Sequence, residues 1–212
     1  MNTTRIPRFL AATAVAGLVL VGCGNAIETP TIGSGAGSGA AAPSPAATRG
    51  AQNDADVAFV QGMVIHHRQA VEMADLARGS TENSQLLDLA TRVSAAQGPE
   101  TDTMTGWLTR WGAEVPAEDG AMAGMDHSGM SGMAGMSGMM TPEQMQELGT
   151  ATSPAFNQMF LQMMLAHHAG AVEMARTVLD EGADPQVREL AETISTTQQA
   201  EITEMEALLE QG

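Results

Sequence analysis

The sequence predicts an all-α protein, an antiparallel four-helix bundle made of two duplicated helical hairpins. Three observations predict it. Apolar residues recur at helical spacing over four stretches of roughly 25 residues, with little strand alternation between them. Gly and Pro punctuate the ends of these stretches, at Gly79, Gly112, Pro154, Gly182 and Pro185. A segment also recurs: residues 63–74 read MVIHHRQAVEMA and residues 164–175 read MLAHHAGAVEMA, an offset of 101 residues (167 minus 66). The match extends outward, pairing Phe59 with Phe160, Leu89 with Leu190, Gln97 with Gln198, Glu100 with Glu201, Met104 with Met205 and Leu108 with Leu209. Such self-similarity marks one supersecondary unit used twice.

Residues 1–22 are expected to be a lipoprotein signal peptide. Arg5 and Arg8 precede an apolar run from Phe9 to Val21 that is short for a membrane-spanning helix. The run closes on Leu20-Val21-Gly22-Cys23, which resembles the bacterial lipobox, and Cys23 is the only cysteine. Lipidation at Cys23 would tether the chain at the outer face of the cytoplasmic membrane after export; an ordinary cleaved signal with a stray thiol is the alternative. Residues 23–50, rich in Gly, Ala, Ser and Pro, read as a flexible linker. The duplicated domain then fills residues 51–212.

Hairpin one spans 53–111. Its first helix starts near Asn53 with Asp54 and Asp56 placed to favour the helix dipole, and is expected to end at about Arg78, before Gly79. Its second runs from about Asn83 to Trp111, before Gly112. A Met-rich loop covers 112–141. Thr141-Pro142-Glu143-Gln144 has the form of an N-cap, a first-turn Pro and a capping box, which predicts a short helix there. Hairpin two spans 154–211; Ser153 as N-cap with Pro154 at the first helical position is expected to start its first helix, which ends before Gly182, and Asp184-Pro185 its second. A connection of about 40 residues between hairpins permits either of two bundle topologies.

On a helical wheel Phe59, Met63, Ala70 and Ala74 share one apolar face; His66 and His67 straddle its midline and Met73 lies at its edge. Glu72 points away, four residues after Arg68, and a solvated ion pair is its simplest role; Glu173 has Arg176 three residues on. In the partner helix Leu86, Leu89, Ala90 and Val93 set an apolar face that Gln97, Glu100 and Met104 continue. With equal rise on both helices, residue numbers at one level sum to about 163, placing His66 level with Gln97 and Met63 level with Glu100. The second hairpin repeats this for His167 with Gln198 and Met164 with Glu201. Pro99 interrupts the first copy alone, and is expected to kink or split the helix between Gln97 and Glu100.

The formal charge is −16, and −18 once the two arginines of the leader are removed. There is no Lys and no basic patch, which excludes nucleic acid as a partner class. No Ser-His-Asp or Cys-His set is evident, so no nucleophilic catalysis is expected.

The remaining chemistry is that of a soft metal. Histidines suit Cu, Zn, Fe and Ni, whereas thioethers select Cu(I), so the duplicated pairs His66-His67 and His167-His168 beside Met63, Met73, Met104, Met164, Met174 and Met205, with Glu100 and Glu201 on the core side, make copper the first candidate. Buried histidines satisfied by the two acids are the bland alternative, and core packing also accepts Met. The loop is harder to explain as packing. Residues 120–140 carry Met122, Met125, Met130, Met133, Met136, Met139 and Met140 in a Gly/Ser/Ala background, with His127 among them. Flexible thioethers can gather around Cu(I) or Ag(I), and His127 could hold Cu(II); a plain oxidisable linker is the alternative. Met125 to Met130 resembles segments of bacterial copper-resistance proteins.

The pattern HH-x-x-A-V-E-M-A, followed by Q-x-x-E and a downstream Met, resembles the family called domain of unknown function 305, over nearly all of residues 51–212. The resemblance implies a ferritin-like fold and, as some members are exported and copper-associated, copper-binding roles for His66, His67, His167 and His168, with Met63, Met73, Met164 and Met174 as helpers. The expected function is copper sequestration, tolerance or handover by a lipid-anchored binding protein, using Cu(I) and/or Cu(II) and no organic cofactor, with a copper-handling partner unspecified and no turnover. Two alternatives remain. A di-metal oxidase needs four or more carboxylates, of which only Glu100 and Glu201 face the core. A metal-free module would dock on another envelope protein.

Overall fold

The computed structural model describes residues 51–117 and 136–211. The leader, Cys23, the linker and loop positions Met122, Met125, His127, Met130 and Met133 lie outside the described residues. Five helices are present and, among the described residues, no strand: α1 Asp54–Ser80, α2 Ser84–Trp111, α3 Pro142–Thr150, α4 Ala155–Glu181 and α5 Pro185–Gln211. None is long and apolar enough to cross a membrane.

Local chemistry sets most helix ends. Asn53 caps α1 in a reciprocal capping box with Asp56, and Thr141 caps α3 with Gln144. The Asn83 side chain caps α2, and Gly112 ends it at φ 67°, where Gly is the favoured residue. Three expectations need correction. First, α1 passes through Gly79 and stops at Ser80. Second, the Ser153 hydroxyl does not cap α4: it bonds instead to Thr81 and the Ser80 carbonyl. Third, Pro99 does not split α2, which is continuous from Ser84 to Trp111. The reason is position: Pro99 and Ala95, the residue whose carbonyl loses its N–H partner, are both exposed, so water can satisfy that carbonyl.

The hairpins α1–α2 and α4–α5 pack antiparallel through α1 and α4. At one end Ser153 N–H donates to the Ser80 carbonyl at 3.1 Å, and at the other Asn53 Nδ2 donates to the Glu181 carbonyl at 2.8 Å. Arg92 and Glu204 tie α2 to α5. The connection from α2 to α4 must therefore climb the length of a 27-residue helix, about 40 Å. This single long crossover is the ferritin-like arrangement. Both described ends of the connection lie along α1. Gln61 holds the Glu114 carbonyl, Arg68 holds those of Pro116 and Ala117, and Gln69 holds Met140. Arg68 thus serves the crossover and forms no ion pair with Glu72; nor does Glu173 pair with Arg176, although Glu72 and Glu173 are exposed as expected.

The core is two apolar clusters. One, at the end where α1 turns into α2, gathers Met73, Leu86, Leu89, Val93, Phe156, Phe160, Met164 and Met205. The other gathers Phe59, Met63, Met104, Leu108, Val178, Val187 and Ile194. Asp56, wholly buried, locks the second end: one carboxylate oxygen accepts the N–H groups of Asn53, Ala183 and Asp184 at 2.8, 3.0 and 3.0 Å. It thereby joins the start of α1 to the α4–α5 turn. Removing this acceptor strands three amides. Asp56→Ala is expected to cost roughly 2–3 kcal/mol in urea unfolding, against a few tenths for the exposed Asp54→Ala.

Candidate metal centre

Between the two clusters lies a polar waist. In α1 it falls between Val64 and Ala70 (His66, His67), in α2 between Val93 and Met104 (Gln97, Glu100), in α4 between Met164 and Ala171 (His167, His168), and in α5 between Ile194 and Ile202 (Gln198, Glu201). All four histidines have no exposed surface. Met63 and Met104 close the waist on one side and Met164 and Met205 on the other, all fully buried. Met73 is also buried but sits with the first cluster; Met174 is half-buried against the second.

The pairing is regular. His67 Nε2 lies 2.8 Å from Glu100 Oε2, and His168 Nε2 lies 2.7 Å from Glu201 Oε2. Each acid meets the histidine one turn beyond the residue that equal-rise register placed level with it (His67 in place of Met63, His168 in place of Met164). The physical cause is side-chain direction. Helical side chains tilt toward their own N-terminus, so in an antiparallel pair the two tilts converge and bring together residues one turn apart in level. The first copy is as well formed as the second despite Pro99. Its acid is more open, with 20% of the Glu100 side chain exposed against 11% for Glu201.

Across the hairpin interface the His66 and His167 rings approach to 3.7 Å between centroids. The Ser137 carbonyl lies 3.3 Å from His66 Nε2. A carbonyl only accepts, so His66 carries its proton on Nε2. The carboxylates impose the same tautomer on His67 and His168. The Nδ1 atoms of His66, His67 and His168 are buried with no partner, as are both ring nitrogens of His167. Gln97 Oε1 and Nε2 and Gln198 Oε1 are likewise buried and unpartnered.

Burial pushes the His66 imidazole down to about 3, and neighbouring His67 adds to this, while the Ser137 carbonyl opposes it. His67 is lowered by burial against the opposing hydrogen bond and charge of Glu100. His167 is held well below the ordinary histidine value by burial and then by His66. These rings are neutral at pH 7, the protonation state a metal ligand requires. Among the described residues no three His, Cys, Asp or Glu side chains converge at metal-binding spacing, so the donors line the waist without forming a closed cage.

Sequence reasoning brought the four histidines, Glu100, Glu201, Met63, Met104, Met164 and Met205 to one region, and the structure places them there. It missed the Ser137 carbonyl and the crossover's path over His66. Met136, Met139 and Met140 are half-buried; the Met136 sulphur and the Met174 methyl lie 3.3 and 3.0 Å from where a Cβ on Gly62 would stand.

A single-crossover helical bundle with a duplicated His-His/Glu waist defines the class of protein. The chain belongs to the DUF305 family, a domain of unknown function, whose model matches residues 56–209. Solved structures similar to it include a DUF305 protein from Streptomyces coelicolor, described as a candidate secreted protein (32% identity, TM-score 0.64, covering 74% of this chain and 93% of that one). A DUF305 fragment from Deinococcus radiodurans is 29% identical, with TM-score 0.64, covering 76% and 99%. CopM in its Cu(II)-bound form is 30% identical, with TM-score 0.60, covering 74% and 96%. No curated protein matches the chain.

The lowered histidines fix a pH response. Their folded-state values lie below the unfolded value near 6.5, so on acidification the unfolded chain binds protons first. The stability they contribute is present above about pH 6.5 and is lost as pH falls below it. The metal-free thermal midpoint is expected to decline from pH 7 to pH 5, and His66→Gln should flatten part of that decline. A midpoint that rises on acidification would contradict the neutral waist.

Proposed function

We propose that the chain is an extracytoplasmic copper-binding protein that sequesters copper or hands it on, without turnover, tethered to the membrane by a lipid on Cys23. One observation carries the metal reading. Three buried histidines present unpartnered Nδ1 atoms while Glu100, Glu201 and the Ser137 carbonyl lie against their Nε2 atoms. Metal-binding histidines are ordinarily oriented in this way by an acceptor on the far nitrogen. Glu100 and Glu201 are then orienting groups, and the ligands are imidazole Nδ1 atoms with thioethers from Met63, Met104, Met164 and Met205.

Other observations support copper in particular. Imidazole with thioether is a soft donor set. CopM, at 26–30% identity, has been crystallised with Cu(II), Cu(I) and Ag. The Met-rich loop adds thioethers on the crossover, where they can collect ions for the waist. Export is supported by the signal-like residues 1–22 and by the candidate secreted relative. The di-metal oxidase reading lacks ligands, since the waist offers only two carboxylates and each is engaged by a histidine.

A chelator competition titration with Cu(I) tests this. The quadruple variant with His66, His67, His167 and His168 replaced by Ala is expected to lose the waist-bound ions while keeping its helical content. Deletion of residues 120–135 should lower total stoichiometry and leave those ions in place. Glu201→Ala should weaken waist binding about 10–100-fold. Wild-type stoichiometry and affinity in the quadruple variant would overturn the proposal.

A further inference from the structure

The duplicated motif is identical at eight of its twelve positions, and its departures have a common address. Val64/Leu165 is a conservative swap. The others are Ile65/Ala166, Arg68/Ala169 and Gln69/Gly170, and each pair has a member that meets the crossover, through the Ala166 carbonyl, Arg68, Gln69 or Gly170. Arg68 holds the carbonyls of Pro116 and Ala117. Gln69 clamps the Met140 backbone from both sides: its Nε2 donates to the carbonyl at 2.9 Å and its Oε1 accepts the N–H at 2.8 Å. At Gly170 a Cβ would stand 1.9 Å from the Ser137 carbonyl oxygen. At Gly138, where φ is 82°, a Cβ would stand 2.5 Å from the Ala166 carbonyl oxygen and 3.0 Å from that of His167. Two glycine backbones therefore cross in direct contact over the waist. A symmetric pair of hairpins has one crossover, and the repeat has diverged where that crossover lies.

The crossing has a chemical result. Glu100 and Glu201 each serve one histidine per copy, leaving His66 and His167 without an acid. The crossover supplies an acceptor to His66, through the Ser137 carbonyl, and none to His167, whose tilted ring lies 3.7 Å away between centroids. We propose that residues 137–140 are a positioning strap for this centre: seated by Gly138 on Gly170 and by Gln69 on Met140, the strap fixes the His66 proton on Nε2 and presents Nδ1 to a soft monovalent cation. Strap seating and cation binding then favour each other, because each stabilises the same His66 tautomer and orientation. The proposal rests on the waist being a metal site and adds how the Met-rich connection is coupled to it.

Ag(I), which needs no reductant, is the probe, and the full chain is used. In wild type, Ag(I) is expected to slow exchange of the Met140 amide by about tenfold, within the usual span of such couplings. Gly170→Ala should unseat the strap without weakening α4, since Ala is the better helix former. Gln69→Ala removes both strap hydrogen bonds without introducing a clash. Both variants are expected to exchange Met140 faster in the metal-free state and to bind Ag(I) about 10–100-fold more weakly, with unchanged helical content. Faster Met140 exchange on adding Ag(I) to wild type would overturn the proposal, because the carbonyl would then be a placeholder that the cation displaces. Wild-type affinity in both variants, with Met140 exchanging freely, would overturn it equally. Equal Ag(I) uptake by wild type and by the quadruple histidine variant is a separate outcome: it removes the metal site itself and the strap's role with it.

Discussion

Four imidazoles without solvent contact, set across the middle of a helical bundle, constrain everything around them. Burial holds the His66, His67 and His167 rings neutral, and a neutral imidazole needs an acceptor for its one N–H and leaves one lone pair to be matched. The bundle meets the first need for three of the four rings, through Glu100, Glu201 and the Ser137 carbonyl, and leaves the second unmet. Unpartnered buried nitrogens are costly, and in native proteins they call for a reason. The apolar clusters on either side of the waist, each with its own Phe or Leu and Met side chains, supply the packing that holds the four helices together despite that cost.

Connectivity explains why an internally duplicated protein is not symmetric at its centre. Because α1 and α4 are antiparallel neighbours, the chain leaving α2 must return along the bundle before α4 can begin. Its described ends lie against α1, and the side chains that receive them (Gln61, Arg68, Gln69) belong to the first copy only. In the second copy the corresponding need is for space, met by Gly170. The His-His and Glu positions, which the crossover does not require to change, stay the same in both copies. The two halves thus share their inner chemistry and differ where the connection touches them.

Much of this was legible in the sequence. The helical period and the turn residues gave the four long helices to within two residues at the ends considered, and the capping pattern at Thr141 gave the short one. The wheel placed the histidines, Gln97 and Met104 inside. Several features were not legible, each for a physical reason. The His–Glu pairing was displaced by one turn because equal-rise register ignores the tilt of side chains along a helix. Pro99 reads as a break in one dimension, whereas its cost depends on which way the orphaned carbonyl faces, and here it faces water. Arg68 reads as a partner of Glu72 because local spacing is visible and the return of the crossover, about 50 residues later, is not. The mismatch of Gln69 with Gly170 was visible in the repeat, but only the path of the connection gives it meaning. Asp56 had a local reading as a helix-dipole acid, which hid its longer-range part in joining the α4–α5 turn.

The same packing bears on how such a centre would use the energy of binding. In small metal-nucleated domains the cation's affinity is largely consumed in folding the chain around it. Here Phe59, Leu108, Val178 and Ile194 on one side of the waist, and Leu86, Leu89, Phe156 and Phe160 on the other, are buried against one another independently of any ion. The donors stand in place with their far nitrogens already held, and what remains is to draw a few side chains together. Met is suited to that because its unbranched thioether reorients at little cost in packing. Folding therefore need not wait for the ion, and release need not unfold the chain. That separation is what a protein that takes up and gives back an ion requires, and it follows from placing the polar layer between two cores.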